Sequence, residues 1–234
     1  MPKVRHWFAI PLVLFVAALA LGLVAAHTSV LQPHELQWNT DIQKMRSSGL
    51  NSFMLDIADV ASPVAGLVII ALITGFFLVR RQPVQAVATF LVIAVGWNSS
   101  EIAKLIVMRH RPPTQFSLAP ETGSNSFPSG HVAFAVSLAV GLCLLAVGTR
   151  WLELAAIVGT LWTMLVGFSR LYIGAHYLTD VIGSVLVSSA AIIFLTGLWH
   201  NWIKDNLHRV PLLDKFGPVP GPVTGPEQLA PANG

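Results

Sequence analysis

The chain has 234 residues, 54% hydrophobic and only 11% charged, with a formal charge of +3. An ordinary soluble domain carries about 25% charged side chains, so this composition argues against a soluble enzyme. Its basic residues are scattered without the stripe that binds nucleic acid. Cys143 is the single cysteine, which rules out an intrachain disulfide and leaves too few ligands for a Cys-based metal cluster.

Residues 1–7 carry Lys3, Arg5 and His6 and read as a cytoplasmic amino-terminal segment. The apolar stretch from Trp7 to Ala26 is longer than a signal-peptide core and further apolar stretches follow it, so it reads as a retained anchor. Charge-free runs cover 7–34, 60–79, 82–100, 132–149, 154–169 and 181–203. The hydrophobic part of each is near the length that crosses a hydrocarbon layer of ~30 Å at ~1.5 Å per residue. The expectation is an all-α polytopic protein with six transmembrane helices in one membrane domain over 8–200.

With the amino end inside, Arg80-Arg81, Arg150 and the segment bearing Lys204, Arg209 and Lys215 share the cytoplasmic side, as the positive-inside rule requires. Trp7, Trp151, Trp199 and Trp202 then stand at the inner interface and Trp97 toward the outer one, while Trp162 is a packing residue in mid-span. This places the loops 28–61 and 104–130 outside. In the first loop, Ile42, Met45, Leu50, Phe53, Met54, Ile57 and Val60 recur at roughly helical spacing. It reads as a broken amphipathic segment near the interface, interrupted around Ser47-Ser48-Gly49, serving either packing or lipid access. Residues 210–234, rich in Pro and Gly, read as a disordered cytoplasmic tail.

Three polar clusters interrupt the apolar spans. Lys104 is followed by Arg109, His110, Arg111 and Pro112. If the third span continues, Lys104 and Arg111 stand two turns apart on one helical face, with Arg109 about 140° from Lys104 and about 160° from Arg111 and so less important. These cations suit an anion or, less specifically, lipid head groups. The second cluster, Ser126-Phe127-Pro128-Ser129-Gly130-His131, opens the fourth span. Ser129 fits an N-cap, and the free backbone amides of that helix start fit either a plain capping turn or a phosphate, which Gly130 lets approach closely. In the third, His176 and Asp180 are four residues apart, the spacing at which a carboxylate orients an imidazole. Arg170 precedes them across a break expected at Gly174. A buried pair without chemistry is the alternative.

In the six-span topology all three clusters fall on the same side of the membrane. Lys104, Arg111 and Arg170 with helix-start amides suit the equatorial oxygens of a phosphoryl group in transfer. His176, oriented by Asp180, fits the nucleophile, and His131 fits the acid that protonates the departing oxygen and then activates water. No acidic cluster accompanies the cations, since Glu101 and Glu121 are isolated in sequence, so no metal or other cofactor is expected.

These motifs closely resemble those of the type 2 phosphatidic acid phosphatases, a superfamily related to class A acid phosphatases and vanadium haloperoxidases. Its pattern is met by Lys104 with Arg111-Pro112, by Pro128-Ser129-Gly130-His131, and by Ser169-Arg170 with His176 and Asp180, without departure at a defining position. The resemblance covers roughly residues 8–200. It implies a metal-independent lipid phosphatase with a six-helix core in a bacterial-type plasma membrane and an extracytoplasmic site. The nucleophile would be His176, the acid and water activator His131, and the phosphate ligands Lys104, Arg111, Ser129, Gly130, His131 and Arg170. Undecaprenyl diphosphate, phosphatidylglycerophosphate and phosphatidate are the substrates it implies, with no obligate protein partner. A non-lipid phosphatase, a haloperoxidase-like enzyme and an inactive lipid-binding or transport protein are the alternatives.

Overall fold

The computed structural model describes residues 1–113, 115, 117–119, 121, 123–219 and 221. These residues are helical almost throughout. The main helices are α1 (Ala9–His27), α2 (Gln32–Gln43), α3 (Ser48–Val60), α4 (Pro63–Val79), α5 (Pro83–Val107), α6 (Gly130–Ala146), α7 (Leu152–Tyr172) and α8 (Leu178–Leu198). Short turns continue from α8 to Arg209. Pro211–Asp214 then forms one helical turn within the segment expected to be disordered, whose residues 222–234 lie outside the described residues.

Helix starts follow local chemistry. Pro63 and Pro83 stand at first-turn positions, where a missing N–H costs nothing. Ser62 and Ser47 cap α4 and α3, their hydroxyls accepting from Ala65 N at 3.3 Å and Leu50 N at 3.4 Å. α5 packs mainly against α6, α8 and α4, α6 also against α7, and α1 lies along α8. Apolar side chains such as Leu12, Val64, Leu72, Leu105, Ile157 and Leu161 are exposed on the outside of the bundle, where a hydrocarbon solvent suits them. Glycines let elements approach closely: a Cβ at Gly96 would lie 2.3 Å from Ser137 Oγ, and one at Gly197 2.1 Å from the Trp7 ring.

The protein is a multi-pass membrane protein, in which length and composition pick out four or five candidate spans where six are expected. Among the described residues, four helices are long and apolar enough to cross a bilayer, α1, α5, α7 and α8 with its extension. α3 and α4, bent by 52° at Ala61-Ser62, make a fifth if taken as one span. α6 is apolar but has 17 residues, as has α4, giving each a length of about 25 Å against a hydrocarbon thickness of ~30 Å. The shortfall follows from where these helices begin, α4 at the Ser62-Pro63 corner and α6 at Gly130, within the polar cluster.

The segment 28–61, expected to lie outside and to be interrupted around Ser47-Ser48-Gly49, is two helices, α2 and α3. The break falls at Lys44–Ser47, and Ile42, Leu50 and Met54 pack against Tyr172 at the end of α7 and Ile173 and Ala175 just beyond it. Arg46 donates to the Tyr172 carbonyl at 2.9 Å. These contacts dock α2 and α3 on the α7–α8 connection, which carries His176.

Candidate active site

The three clusters converge at one end of the bundle. A cavity of about 480 Å³ is lined by Lys104, Arg111, Gly130, His131 and His176, with Glu101 and Glu121 at its polar edge and Ala61, Pro63, Leu67 and Trp97 on its apolar side. That volume suits a small ligand or a lipid head group.

Lys104 is in the last turn of α5, but Arg111 is not on that helix. α5 ends at Val107 because Met108 adopts a left-handed conformation, φ 49° and ψ 38°. The chain then pairs with the segment before α6. His110 bridges to Asn125, Ser126 N donates to the Arg109 carbonyl at 2.7 Å, and Arg111 Nε donates to the Gly123 carbonyl at 2.6 Å. Lys104 and Arg111 therefore reach one cavity through a loop, where a shared helical face had been expected. A Cβ on Gly130 would come within 3.4 Å of Lys104 Nζ, so a side chain there would crowd the cations.

Ser129 stands at the N-cap of α6 with an extended backbone, but its hydroxyl makes no capping bond. Ser129 Oγ and Arg170 Nε are both buried without a hydrogen-bond partner among the described residues. Buried polar atoms are seldom left so, and each keeps a donor available to a ligand. Arg170, buried near the end of α7, also pairs with Glu121. Glu101 pairs with Lys104 at 2.6 Å. Neither acid is isolated in space, as both had been in sequence.

His176 precedes α8 rather than lying on it, after a turn in which Gly174 takes φ 78°. Its Nε2 lies 3.2 Å from Arg111 Nη1 and its Nδ1 lies 3.3 Å from Asp180 Oδ2. A guanidinium offers donors only, so Nε2 carries the lone pair and Nδ1–H donates to Asp180. The unprotonated nitrogen thus faces the cavity. Burial holds His176 well below the ordinary imidazole value of 6.5, and Arg170, Arg111, His131 and Lys104 push in the same direction. Asp180 Oδ2 also accepts from Tyr177 N at 2.9 Å, which seats the carboxylate in the first turn of α8. Ser184 Oγ lies within donor reach of both the Ser129 and Asp180 carbonyls, at 2.9 and 2.7 Å, tying the second cluster to the third.

Arg109 reverses its expected place. It is 3% exposed, its Nη1 donating to Asp180 Oδ1 at 2.7 Å and to Thr179 Oγ1 at 2.6 Å, while Nη2 donates to Glu35 Oε2 at 2.5 Å. Its guanidinium also lies 4.0 Å from the centre of the Tyr177 ring. Burial opposes the charge on Arg109, but Asp180 and Glu35 outweigh it and raise its pKa above the ordinary guanidinium value. The projection that made Arg109 peripheral fails because the helix ends before it. Glu35 and Asn39 on α2 are also buried, and Asn39 Nδ2 donates to the His176 carbonyl at 3.0 Å. Their four-residue spacing on one helical face was the available signal, hidden by the apolar pattern read there instead. Among the described residues no group of three or more His, Cys, Asp or Glu is placed to hold a metal ion.

The PAP2 superfamily model matches residues 84–204, from the start of α5 past the end of α8. The undecaprenyl-diphosphatase of Sulfolobus acidocaldarius is 29% identical over 145 residues, 60% of this chain and 66% of that protein, just under two thirds of its length. Phosphatidylglycerophosphatase B of Bacillus subtilis is 26% identical over 178 residues, 74% of this chain and 86% of that protein. The crystal structure of the transmembrane PAP2-type phosphatidylglycerolphosphate phosphatase from Bacillus subtilis superposes with a TM-score of 0.69 at 27% identity, covering 84% of this chain and 98% of that one.

Proposed function

The chain belongs to the PAP2 superfamily, and on that premise we propose that it hydrolyses membrane lipid phosphates or diphosphates, without a metal, through a phosphohistidine on His176. The observation that carries this reading is the convergence of Lys104, Arg111, Gly130, His131 and His176 on one cavity, with Arg170 paired to Glu121 of its lining and with Ser129 Oγ and Arg170 Nε buried without a partner among the described residues. Three fixed cations and the amides at the start of α6 would hold the equatorial oxygens of the transferring phosphoryl group. The His176 lone pair forms the P–N bond as the bond from phosphorus to the lipid oxygen breaks, and that oxygen takes a proton from His131. His131 then accepts a proton from the water that cleaves the P–N bond, which restores both histidines. Phosphate binding would draw Arg111 toward an oxygen and release the Nε2 lone pair for attack.

The apolar flank formed by Ala61, Pro63, Leu67 and Trp97 supports a lipid substrate. Undecaprenyl diphosphate and phosphatidylglycerophosphate, which the relatives' names specify, are the first to test. In this reading α4 and α6 are also spans, giving six with an extracytoplasmic site.

The test is phosphate release by the detergent-purified protein from undecaprenyl diphosphate, phosphatidylglycerophosphate, phosphatidate and glucose 6-phosphate, with chelator present. Lipid substrates should turn over, H176A should lose essentially all turnover, and rapid quench of the wild type should trap an acid-labile phosphoenzyme. A preference for glucose 6-phosphate, or strict dependence on added magnesium, would overturn the reading.

A further inference from the structure

One buried polar network lies outside the cavity. Glu35, on α2, is 2% exposed and takes three hydrogen bonds from two residues: Arg109 Nη2 on one oxygen at 2.5 Å, and Thr179 N and Oγ1 on the other at 2.9 and 2.6 Å. Arg109 in turn binds Asp180, and Asp180 faces His176 Nδ1. The chain of contacts therefore runs from α2 through the residues after α5 to the first turn of α8 and the imidazole. Glu35 does not line the cavity and touches no group assigned a role in the reaction except through this chain.

The charge count gives the network its consequence. A lone Arg109 beside Asp180 would form a neutral pair, and a neutralised carboxylate supports a neighbouring imidazole poorly. With Glu35 on the other side of the guanidinium, two anions share one cation, and the buried cluster keeps a net charge of −1. That charge lies next to Nδ1–H, on the ring that turns cationic as Nε2 bonds to phosphorus. Its effect is larger in a buried site than in water, because the surrounding dielectric is low.

We propose that Glu35 is a positioning residue for phosphoryl transfer, dividing the charge of Arg109 so that Asp180 remains an effective anion beside His176. This rests on the phosphohistidine reading. It assigns a role to the outer helix α2, which lies before the segment matched by the superfamily model. If Glu35 only anchored α2, its loss would act on folding or on substrate access and would not depend on the charge of Asp180.

The experiment is a double-mutant cycle on the full chain in detergent, with thermal unfolding measured for each variant. E35Q, nearly isosteric, should lower kcat by about 10- to 100-fold, the range for residues that orient a reacting histidine from behind, with KM within about twofold. In a D180N background, where no carboxylate faces the imidazole, the same change should cost less than about threefold, because the two residues act as one unit. An equal fold-loss in both backgrounds, or wild-type kcat in E35Q, would overturn the proposal. If E35Q does not fold, T179V removes only the hydroxyl shared by Glu35 and Arg109. It should lower kcat several-fold with Asp180 present and have little effect with D180N, and any other pattern overturns the proposal. Wild type and H176A in the same assay report the underlying reading separately: if the first releases phosphate and the second does not, that reading stands whatever E35Q does.

Discussion

At the scale of single residues, the site combines groups that hydrogen bonding orients with groups left unsatisfied. His176 is fixed at both ring nitrogens, whereas Ser129 Oγ and Arg170 Nε are buried without a partner among the described residues. The depressed pKa of His176 links stability to pH. Below the ordinary value of 6.5 the unfolded chain takes up a proton that the folded imidazole refuses. The contribution of His176 to stability is therefore fully present above that value and is lost as pH falls through it toward the folded pKa. The difference in Tm between the wild type and H176N should accordingly shrink as pH is lowered from about 7.5 to about 5. Calorimetry of both proteins in one detergent checks this, and a difference that widens on acidification would mean that the folded imidazole binds the proton more tightly than the unfolded one.

At the scale of elements, close approach between helices holds the second cluster in place. The Phe127 ring, fully buried, is wedged between α1 and α8, where a Cβ on Gly22 would lie 2.6 Å and one on Gly183 2.3 Å from ring carbons. Both distances are shorter than carbon atoms tolerate, and Phe127 stands two residues before Ser129. A side chain at Gly183 must displace the ring, and a shift of Phe127 is felt at Ser129, two residues on. G183A should cost about 1–3 kcal/mol by overpacking and lower kcat/KM at least tenfold. The F127L change in that background, which makes room for the new methyl, should recover part of both losses. Wild-type Tm and kcat/KM in G183A would show that the ring is free to move and that α8 does not position Ser129.

At the scale of the whole molecule, the distribution of charge bears on which side of the membrane the cavity faces. Arg80-Arg81 after α4, Arg150 before α7 and Lys204 beyond α8 all lie at the opposite end of the helices from Lys104, His131 and His176. The carboxy-terminal segment returns to that basic end, where a Cβ on Gly217 would lie 2.5 Å from the Arg81 carbonyl oxygen. If the basic end is retained in the cytoplasm, as the positive-inside rule expects, the cavity faces outside. In a C143A background, Ser124→Cys in the exposed loop beside the cavity should react with a membrane-impermeant maleimide in intact cells. Thr149→Cys, exposed in the turn before α7, should react only after lysis. The opposite pattern would invert the protein and remove outward-facing lipid diphosphates from its substrates.

Much of this was readable in the chain itself. Composition and apolar runs determined an all-helical membrane protein, and local spacing determined the His176–Asp180 pair and the place of Ser129-Gly130-His131 at a helix start. Those features depend on neighbours in sequence. Tertiary structure decided the rest. Glu35 meets Arg109 across 74 residues and Thr179 across 144, separations that no periodicity encodes. Arg109 was misplaced because a helix was extended through Met108, whose left-handed turn depends on the pairing of 109–111 with 123–126. The number of full-length spans was not legible in the sequence for a further physical reason. In water an amphipathic pattern marks the buried face of a helix, but a bilayer is as apolar as a protein core. The sequences of α4 and α6 therefore look as ready to face lipid as α1 does, and only their packing shows that α6 is largely enclosed and that each falls short of the full crossing length.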